Sequence, residues 1–323
     1  MPADAQLLML DKNQIEPLLQ PDDVLNAVKK AFTLHSQKQG RIFPVVREPL
    51  TTGGIFGIKS GDVQSQDLLG FKAAGFWPNN RTLGGEPHQA TILLFSPHTG
   101  RPLCVIDGNS ITTMRTGAAG ALGLQLLARP DSQSLCIFGS GVQASIQLQF
   151  ALRLFPHLHQ VHYLTYNNQP DPKFEQKFTS LCPLSHSTNP DTSVASSDIV
   201  ITATPGAGAL FSLNAVRKGT HINCVGADTK GKRELPDGFL KHVKLFVDDR
   251  IQAAQIGETQ WAPDTPSTEL GELLDKTNSF KRTPDDITLF DMTGLALQDL
   301  TVARMLYQQA LETNAGTLLS WPW

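Results

Sequence analysis

The segment Leu135-Cys136-Ile137-Phe138-Gly139-Ser140-Gly141-Val142-Gln143-Ala144 constrains the fold more than any other stretch of the chain. Apolar residues run straight into G-x-G-x-x-A, and a helical pattern follows. The first glycine permits a tight turn, the second lets the backbone approach a pyrophosphate, and the small sixth residue lets the helix pack against the strand. Amides at the helix N-terminus then face the phosphate charge. Strand before and helix after set this apart from an ordinary glycine-rich turn. Gly139, Ser140, Gly141, Val142 and Gln143 are therefore candidate cofactor contacts.

The surroundings agree with a nucleotide-binding sheet. From Ser134 onward, strand-like runs near 134–138, 161–165, 198–203, 220–225, 244–248 and 286–290 alternate with amphipathic stretches. That is the pattern of a Rossmann-type, doubly wound parallel sheet covered on both faces. An acidic residue usually follows the glycine loop by about 20 positions and binds the ribose 2′-hydroxyl. Here the second strand runs into Tyr166-Asn167-Asn168, with neither a carboxylate nor an arginine, so NAD and NADP both stay open. Thr202 and Thr204, closing 198–203, either meet the cofactor with their hydroxyls or simply end a strand.

The first third reads differently. Asp22 can cap a helix in which Val24, Val28, Ala31 and His35 recur at helical spacing, with Gly40 ending it. Strand-like runs near 42–48, 54–60, 68–76, 90–95 and 102–107 follow without helices between them, which implies an antiparallel or mixed sheet. His98-Thr99-Gly100-Arg101 supplies the last turn. The stretch Met114 to Leu127, rich in Ala, Gly and Leu and stopped by Pro130, leads into the second domain. Leu297, Leu300, Val302, Ala303 and Leu306 mark a helix over 295–314 that returns to cover the first sheet. The expected class is α/β, a Rossmann-type parallel sheet joined to a second α+β domain. A chain of 323 residues also favours two domains over one core.

Strand alternation gathers charge. In 68–76, Gly70, Lys72 and Ala74 share a face; Gly57 and Lys59 share another, as do Val45 and Arg47. Several cations on one sheet suit an anionic substrate, and arginine offers a carboxylate two parallel hydrogen bonds. Each taken alone reads equally well as solvated surface. Arg115 opens a helix of small residues, where a buried guanidinium needs an anion; a bound substrate or phosphate is the favoured partner, a structural carboxylate the other. Asp228 follows the strand that ends at Val225, and ligands collect at carboxyl ends of parallel strands. There it either handles a proton or forms a turn beside Gly226. His88 and Gln89 are further candidates to line the pocket.

Composition removes other classes. With a net charge of −3 and 18% charged residues, no basic excess exists to neutralise nucleic acid. No run of about 18 apolar residues suggests a membrane span, and Met1-Pro2-Ala3-Asp4 lacks the features of a leader, so a cytoplasmic protein is expected. Cys104, Cys136, Cys182 and Cys224 lack the paired spacing of a zinc site and read as reduced core residues; no metal is expected.

Several segments taken together resemble the ornithine cyclodeaminase and mu-crystallin family: Phe43-Pro44-Val45-Val46-Arg47, Gly70-Phe71-Lys72, Met114-Arg115-Thr116, the Gly139 loop, and Gly226-Ala227-Asp228-Thr229-Lys230-Gly231-Lys232. The resemblance implies a homodimer acting on a small amino or imino acid with NAD or NADP; of the two, NAD(H) is taken with a slight preference. It implies a substrate-binding and dimerisation domain over 1–115, completed by 300–323, and a Rossmann domain over 116–299. Carried over by position, it makes Arg47, Lys72 and Arg115 ligands of a substrate carboxylate, with Lys72 and Asp228 catalytic. Thr116, Asn167, Thr202, Thr204, Asp228 and Lys232 join the glycine loop as cofactor contacts. Phe290-Asp291-Met292-Thr293-Gly294 departs from the family's usual Lys or Ser before Gly, with Thr293 standing in near the nicotinamide.

Within the family, Phe43 to Glu48, Lys59, Trp77-Pro78-Asn79-Asn80, His88-Gln89 and Phe290 to Asp299 look most like the iminosuccinate (aspartate-forming) reductase branch. Lys59 adds a cation suited to a second carboxylate, with Gln89 nearby. Imine reduction is the leading expectation. Ornithine cyclodeamination, and nucleotide binding without turnover, are the alternatives.

Overall fold

The computed structural model describes residues 5–322, so the opening tetrapeptide lies outside the described residues. Two compact units result: residues up to Arg115 together with those from Leu295 on, and Thr116–Gly294 between them. The second crossing lies at Gly294/Leu295 rather than at the expected 299/300. A break at 300 would cut through the helix Ala296–Thr313, whereas Gly294, at φ +79°, sits just before its N-cap Leu295.

The first unit is built on a mixed sheet. Its strands are β1 (Ala5–Leu10), β2 (Arg41–Ile42), β3 (Val46–Pro49), β4 (Ile55–Val63), β5 (Leu68–Phe76), β6 (His88–Phe95) and β7 (Pro102–Asp107). A C-terminal strand, Thr317–Trp321, completes the order: C-terminal strand, β1, β7, β6, β5, β4, β2, with β3 also on β4. Pairing is antiparallel except between β1 and β7. The expected strand 42–48 is broken in two at Phe43-Pro44-Val45, where Pro44 has no N–H to give the ladder. Gly100, at φ +72°, makes the predicted β6–β7 turn.

One face of this sheet is buried under the helix Ala296–Thr313, against which the helix Pro21–Ser36 packs. Gly70 is what permits the approach: a Cβ there would lie 2.6 Å from the Leu93 carbonyl and 2.9 Å from Leu300 Cδ2. The N-cap of Pro21–Ser36 is Gln20, not Asp22; Pro21 takes the first helical position and Asp22 falls in the first turn, where its charge suits the helix dipole. Nor does Gly40 end that helix. Lys38 takes the left-handed turn at φ +56°, and Gly40 is small because a Cβ would strike Leu297 Cδ1 at 2.6 Å.

The second unit holds eight parallel strands: β8 (Ser134–Phe138), β9 (Gln160–Leu164), β10 (Leu184–His186), β11 (Ile199–Thr202), β12 (His221–Cys224), β13 (Lys244–Val247), β14 (Ser267–Glu269) and β15 (Thr288–Asp291). Their order is β10-β9-β8-β11-β12-β15-β13-β14. β8, β11, β12 and β15 are buried along their whole length, as strands covered on both faces must be. The two short strands β10 and β14 have no alternating pattern in the sequence and lie at the edges. All four cysteines are free and buried. No helix among the described residues is long and apolar enough to cross a membrane.

Candidate active site and nucleotide site

Cations and one buried carboxylate meet in the first unit. Lys72 on β5 stands directly opposite Lys59 on β4. Its Nζ lies 2.7 Å from Asp299 Oδ2 and donates to Thr112 Oγ1 at 3.3 Å. Arg115 donates from Nε to Asp299 Oδ1 at 3.0 Å and from Nη1 to Gln298 Oε1 at 3.2 Å. Asp299 is fully buried and Lys72 only 4% exposed, so the pair is stable only because each answers the other. Burial, with Arg115 and Lys59 adding repulsion, pulls the Lys72 ammonium down to about 7 in spite of Asp299. Burial works against the Asp299 charge as well, but Arg115 and Lys72 outweigh it and hold the carboxyl below its ordinary value.

The expectation that a ligand rather than a protein carboxylate answers Arg115 is thus corrected, because its charge has to be matched in the folded chain before any substrate arrives. Asp299 lies 184 residues away in sequence, which is why spacing could not reveal it. Arg47 sits opposite Gly57 on β4, exposed and on the same face as Lys59. His88 shares that face through its pairing with Phe76. Its Nδ1 lies 3.1 Å from Asn109 Oδ1, and burial together with the Lys72 charge lowers the ring's pKa. Gln89 does not join the group. It pairs with Gly75 on the opposite face, is exposed, and donates to the Glu86 carbonyl at 2.9 Å, as strand alternation requires of the residue after His88.

In the second unit the glycine loop has the geometry its sequence promised. Gly139 sits at φ +105°, with Ala203 O only 2.6 Å from where a Cβ would be. A Cβ on Gly141 would meet nothing within 4 Å, leaving open space above the loop. Gly141 is the N-cap of the helix Val142–Leu154 and makes no side-chain cap bond, so no side chain of the cap occupies the first-turn amides. Gln143 Oε1 is buried without a partner among the described residues. Open amides fit a pyrophosphate, and the orphaned acceptor beside them fits a ribose hydroxyl, as a dinucleotide offers both. Gly139, Ser140, Gly141, Val142 and Gln143 would hold its pyrophosphate, and the bound group would supply or take a hydride.

The other candidates have more varied surroundings. Thr202 is fully buried and donates to Glu234 Oε2 at 2.7 Å. Thr204 gives Glu234 Oε1 both its amide, at 2.8 Å, and its hydroxyl, at 2.7 Å. These hydroxyls brace the end of β11 on a carboxylate that the sequence reading missed. Thr293, 3% exposed, donates to Asp248 Oδ1 at 2.6 Å and accepts from Gln252 at 2.7 Å, so it too is engaged within the unit. Thr116 is buried, and its carbonyl accepts from Gln147 Nε2 at 2.8 Å. Asn167 is exposed and caps its own turn, accepting from Gln169 N at 3.2 Å. Asp228, half-exposed beyond β12, accepts from Lys232 Nζ at 2.7 Å and from Thr229 Oγ1 at 3.1 Å.

A second missed group lies at the ends of β12 and β15. Asp291 is fully buried and accepts from the amides of Glu258, at 3.0 Å, and Thr259, at 2.8 Å. Glu258 in turn accepts from the Glu234 amide at 2.5 Å. Burial pushes Asp291 up to about 7. Burial and the nearby Asp291 push Glu258 up to about 8.

A parallel sheet with an open phosphate loop, carried in one chain with a cation group able to hold a carboxylate, defines the class as a nicotinamide-dependent oxidoreductase acting on carbon–nitrogen bonds. The chain belongs to the ornithine cyclodeaminase/mu-crystallin family, whose model matches residues 5–314. It is 33% identical to an alanine dehydrogenase of Archaeoglobus fulgidus, over 97% of this chain and 98% of that one. It is 30% identical to an iminosuccinate reductase of Paracoccus denitrificans, over 94% and 97% of the two chains. A solved archaeal alanine dehydrogenase dimer with bound NAD superposes with a TM-score of 0.90 at 31% identity, covering 98% of this chain and 99% of that one.

Proposed function

We propose that this protein is an NAD(P)-dependent reductase of a small 2-imino acid, with a second carboxylate on the substrate as in iminosuccinate. The observation that carries the reading is the arrangement of Lys59, Lys72 and Arg115 around Asp299. Asp299 brings one negative charge to three cations, which favours an incoming anion. Lys72 and Arg115 bind the carboxylate beside the reacting carbon, and Lys59, paired across the strands with Lys72, takes the distal one.

Reduction of a C=N bond needs a hydride at carbon and a proton at nitrogen. The hydride would come from a nicotinamide held by the Gly139 loop. Asp228 holds the proton, with Lys232 and Thr229 fixing its carboxylate. Catalysis is then orientation and placement of charge. Lys72 binds an anion only while protonated, so affinity for the carboxylate falls as pH rises through about 7. The same parts serve an ornithine cyclodeaminase, but a distal ammonium asks for an anion where Lys59 stands. A binder without turnover would not need Asp228.

The first unit also provides the contact of a homodimer. Phe71 and Phe95, their rings 5.8 Å apart and tilted by 31°, are half-exposed on the sheet face opposite Lys72. A second copy would cover them, in keeping with the dimeric alanine dehydrogenase. The test of function is a panel of keto acids with ammonia, and of free amino acids, with both cofactors and product identification. Oxaloacetate plus ammonia giving aspartate is the expected result. Proline from ornithine, with no activity on an imino diacid, would overturn the substrate assignment.

A further inference from the structure

The geometry points to Asp171 as the residue that makes this chain select NAD(H) over NADP(H). The inference rests on the dinucleotide reading of the Gly139 loop and goes beyond it by naming the preferred cofactor and the group responsible.

In nucleotide-binding sheets the adenosine ribose lies by the carboxyl end of the second strand, next to the glycine loop, and a carboxylate there takes its 2′-hydroxyl. β9 is that strand: it pairs in parallel with β8, and Gly139 N donates to Leu164 O at 2.8 Å. At the usual place the chain offers no acid. Thr165 donates to the Gln169 carbonyl at 2.7 Å and Asn167 serves its own turn. The loop then folds back and delivers a carboxylate from further along. Ser140, the middle residue of Gly-Ser-Gly, donates to Asp171 Oδ2 at 2.7 Å.

Asp171 is fixed from several directions. Oδ1 accepts from the amides of Lys173, at 3.0 Å, and Phe174, at 3.3 Å, and so caps the helix Pro172–Phe178. Its own N–H donates to Tyr163 Oη at 3.0 Å, and Tyr163 Oη donates to Glu175 Oε1 at 2.7 Å. The carboxylate is half-exposed, so it keeps a face to solvent and to a ligand. Lys173 is the cation near it, exposed on the first turn of the helix. A negative charge held this way accepts a bond from a ribose hydroxyl. It repels a 2′-phosphate, which carries about −1.5 to −2 charges at neutral pH.

The experiment is fluorescence titration of the apo protein with NADH and with NADPH, for the native chain, Asp171→Asn and Asp171→Ser. Both replacements keep a helix cap and an acceptor or donor for Ser140 while removing the charge. The native chain should bind NADH at least about tenfold more tightly than NADPH, since bonds to charged groups differ by about that factor or more. In the variants that ratio should shrink about tenfold or more, chiefly because NADPH binds better, with Tm nearly unchanged. Equal weakening of both nucleotides would make Asp171 a brace of the loop and overturn the proposal. So would an unchanged ratio, or a native chain that prefers NADPH through Lys173. Failure to bind either nucleotide would instead overturn the dinucleotide reading itself.

Discussion

Lys59 and Asp228 separate the proposed reaction from its neighbours. A hydrogen bond between Lys59 and a distal carboxylate contributes about 1.5–3 kcal/mol. Lys59→Met should therefore lower kcat/KM for oxaloacetate plus ammonia about ten- to a hundredfold, while leaving pyruvate plus ammonia nearly untouched. Equal losses on both substrates would show general damage rather than recognition of the second carboxylate. Asp228→Asn keeps the shape of the side chain but removes its charge and its hold on a proton. Turnover should drop about 10²–10⁴-fold, with NADH affinity retained; near-normal turnover would make Asp228 a turn residue. Residues that act through their own strand, such as Lys72 with Gly70 and Ala74, were legible in the sequence because alternation alone fixes their side. The same rule separates His88 from Gln89, and treating the two as a pair was where the reading erred.

At the scale of elements, strands with strong apolar runs were legible and edge strands were not. β8, β11, β12 and β15 are wholly buried and announce themselves, whereas β10 and β14 are three residues each and are made by their neighbours. The carboxylates behind the strand ends were hidden for a related reason: Glu234, Glu258 and Asp291 come from separate segments and meet only after folding. Their burial has a measurable result. Glu258 titrates near 8 in the folded chain against an ordinary 4.5, and Asp291 near 7 against 3.8. Between those values the native state holds protons that the unfolded chain has released, so the stability contributed by these two groups is fully present below the ordinary carboxylate range and is lost progressively until pH passes about 7 to 8. Thermal unfolding should show Tm falling by several degrees across that window, and Glu258→Gln should flatten the slope. A native Tm that rises with pH there would contradict the assignment.

For the molecule as a whole, the change in pattern at Ser110 and the helical run from 295 marked where the chain leaves and re-enters its first unit, although the second boundary was set five residues late, at 299/300. That the last helix returns to cover the first sheet was legible too, from the spacing of Leu297, Leu300 and Leu306; the carboxylate it brings was not, since Asp299 looks in sequence like any other polar residue of an amphipathic helix. If the half-exposed face bearing Phe71 is covered by a second copy, sedimentation should give a dimer, and Phe71→Glu should release monomers that still bind NADH. A native monomer at micromolar concentration would remove that role from the sheet.

The long interruption of the first unit by the second also sets an order of events in the making of each molecule. Lys72 and Arg115 are synthesised early, yet the carboxylate that answers them arrives on the last helix, after the whole nucleotide-binding unit has been made. Until then the nascent chain carries an unmatched pair of cations and an uncovered apolar groove along Gly61 and Gly70. A chain ending shortly before residue 295 would therefore carry the glycine loop but lack the carboxylate that its cation pair needs. The cation pair of every new copy is completed only once the segment from Leu295 has been made.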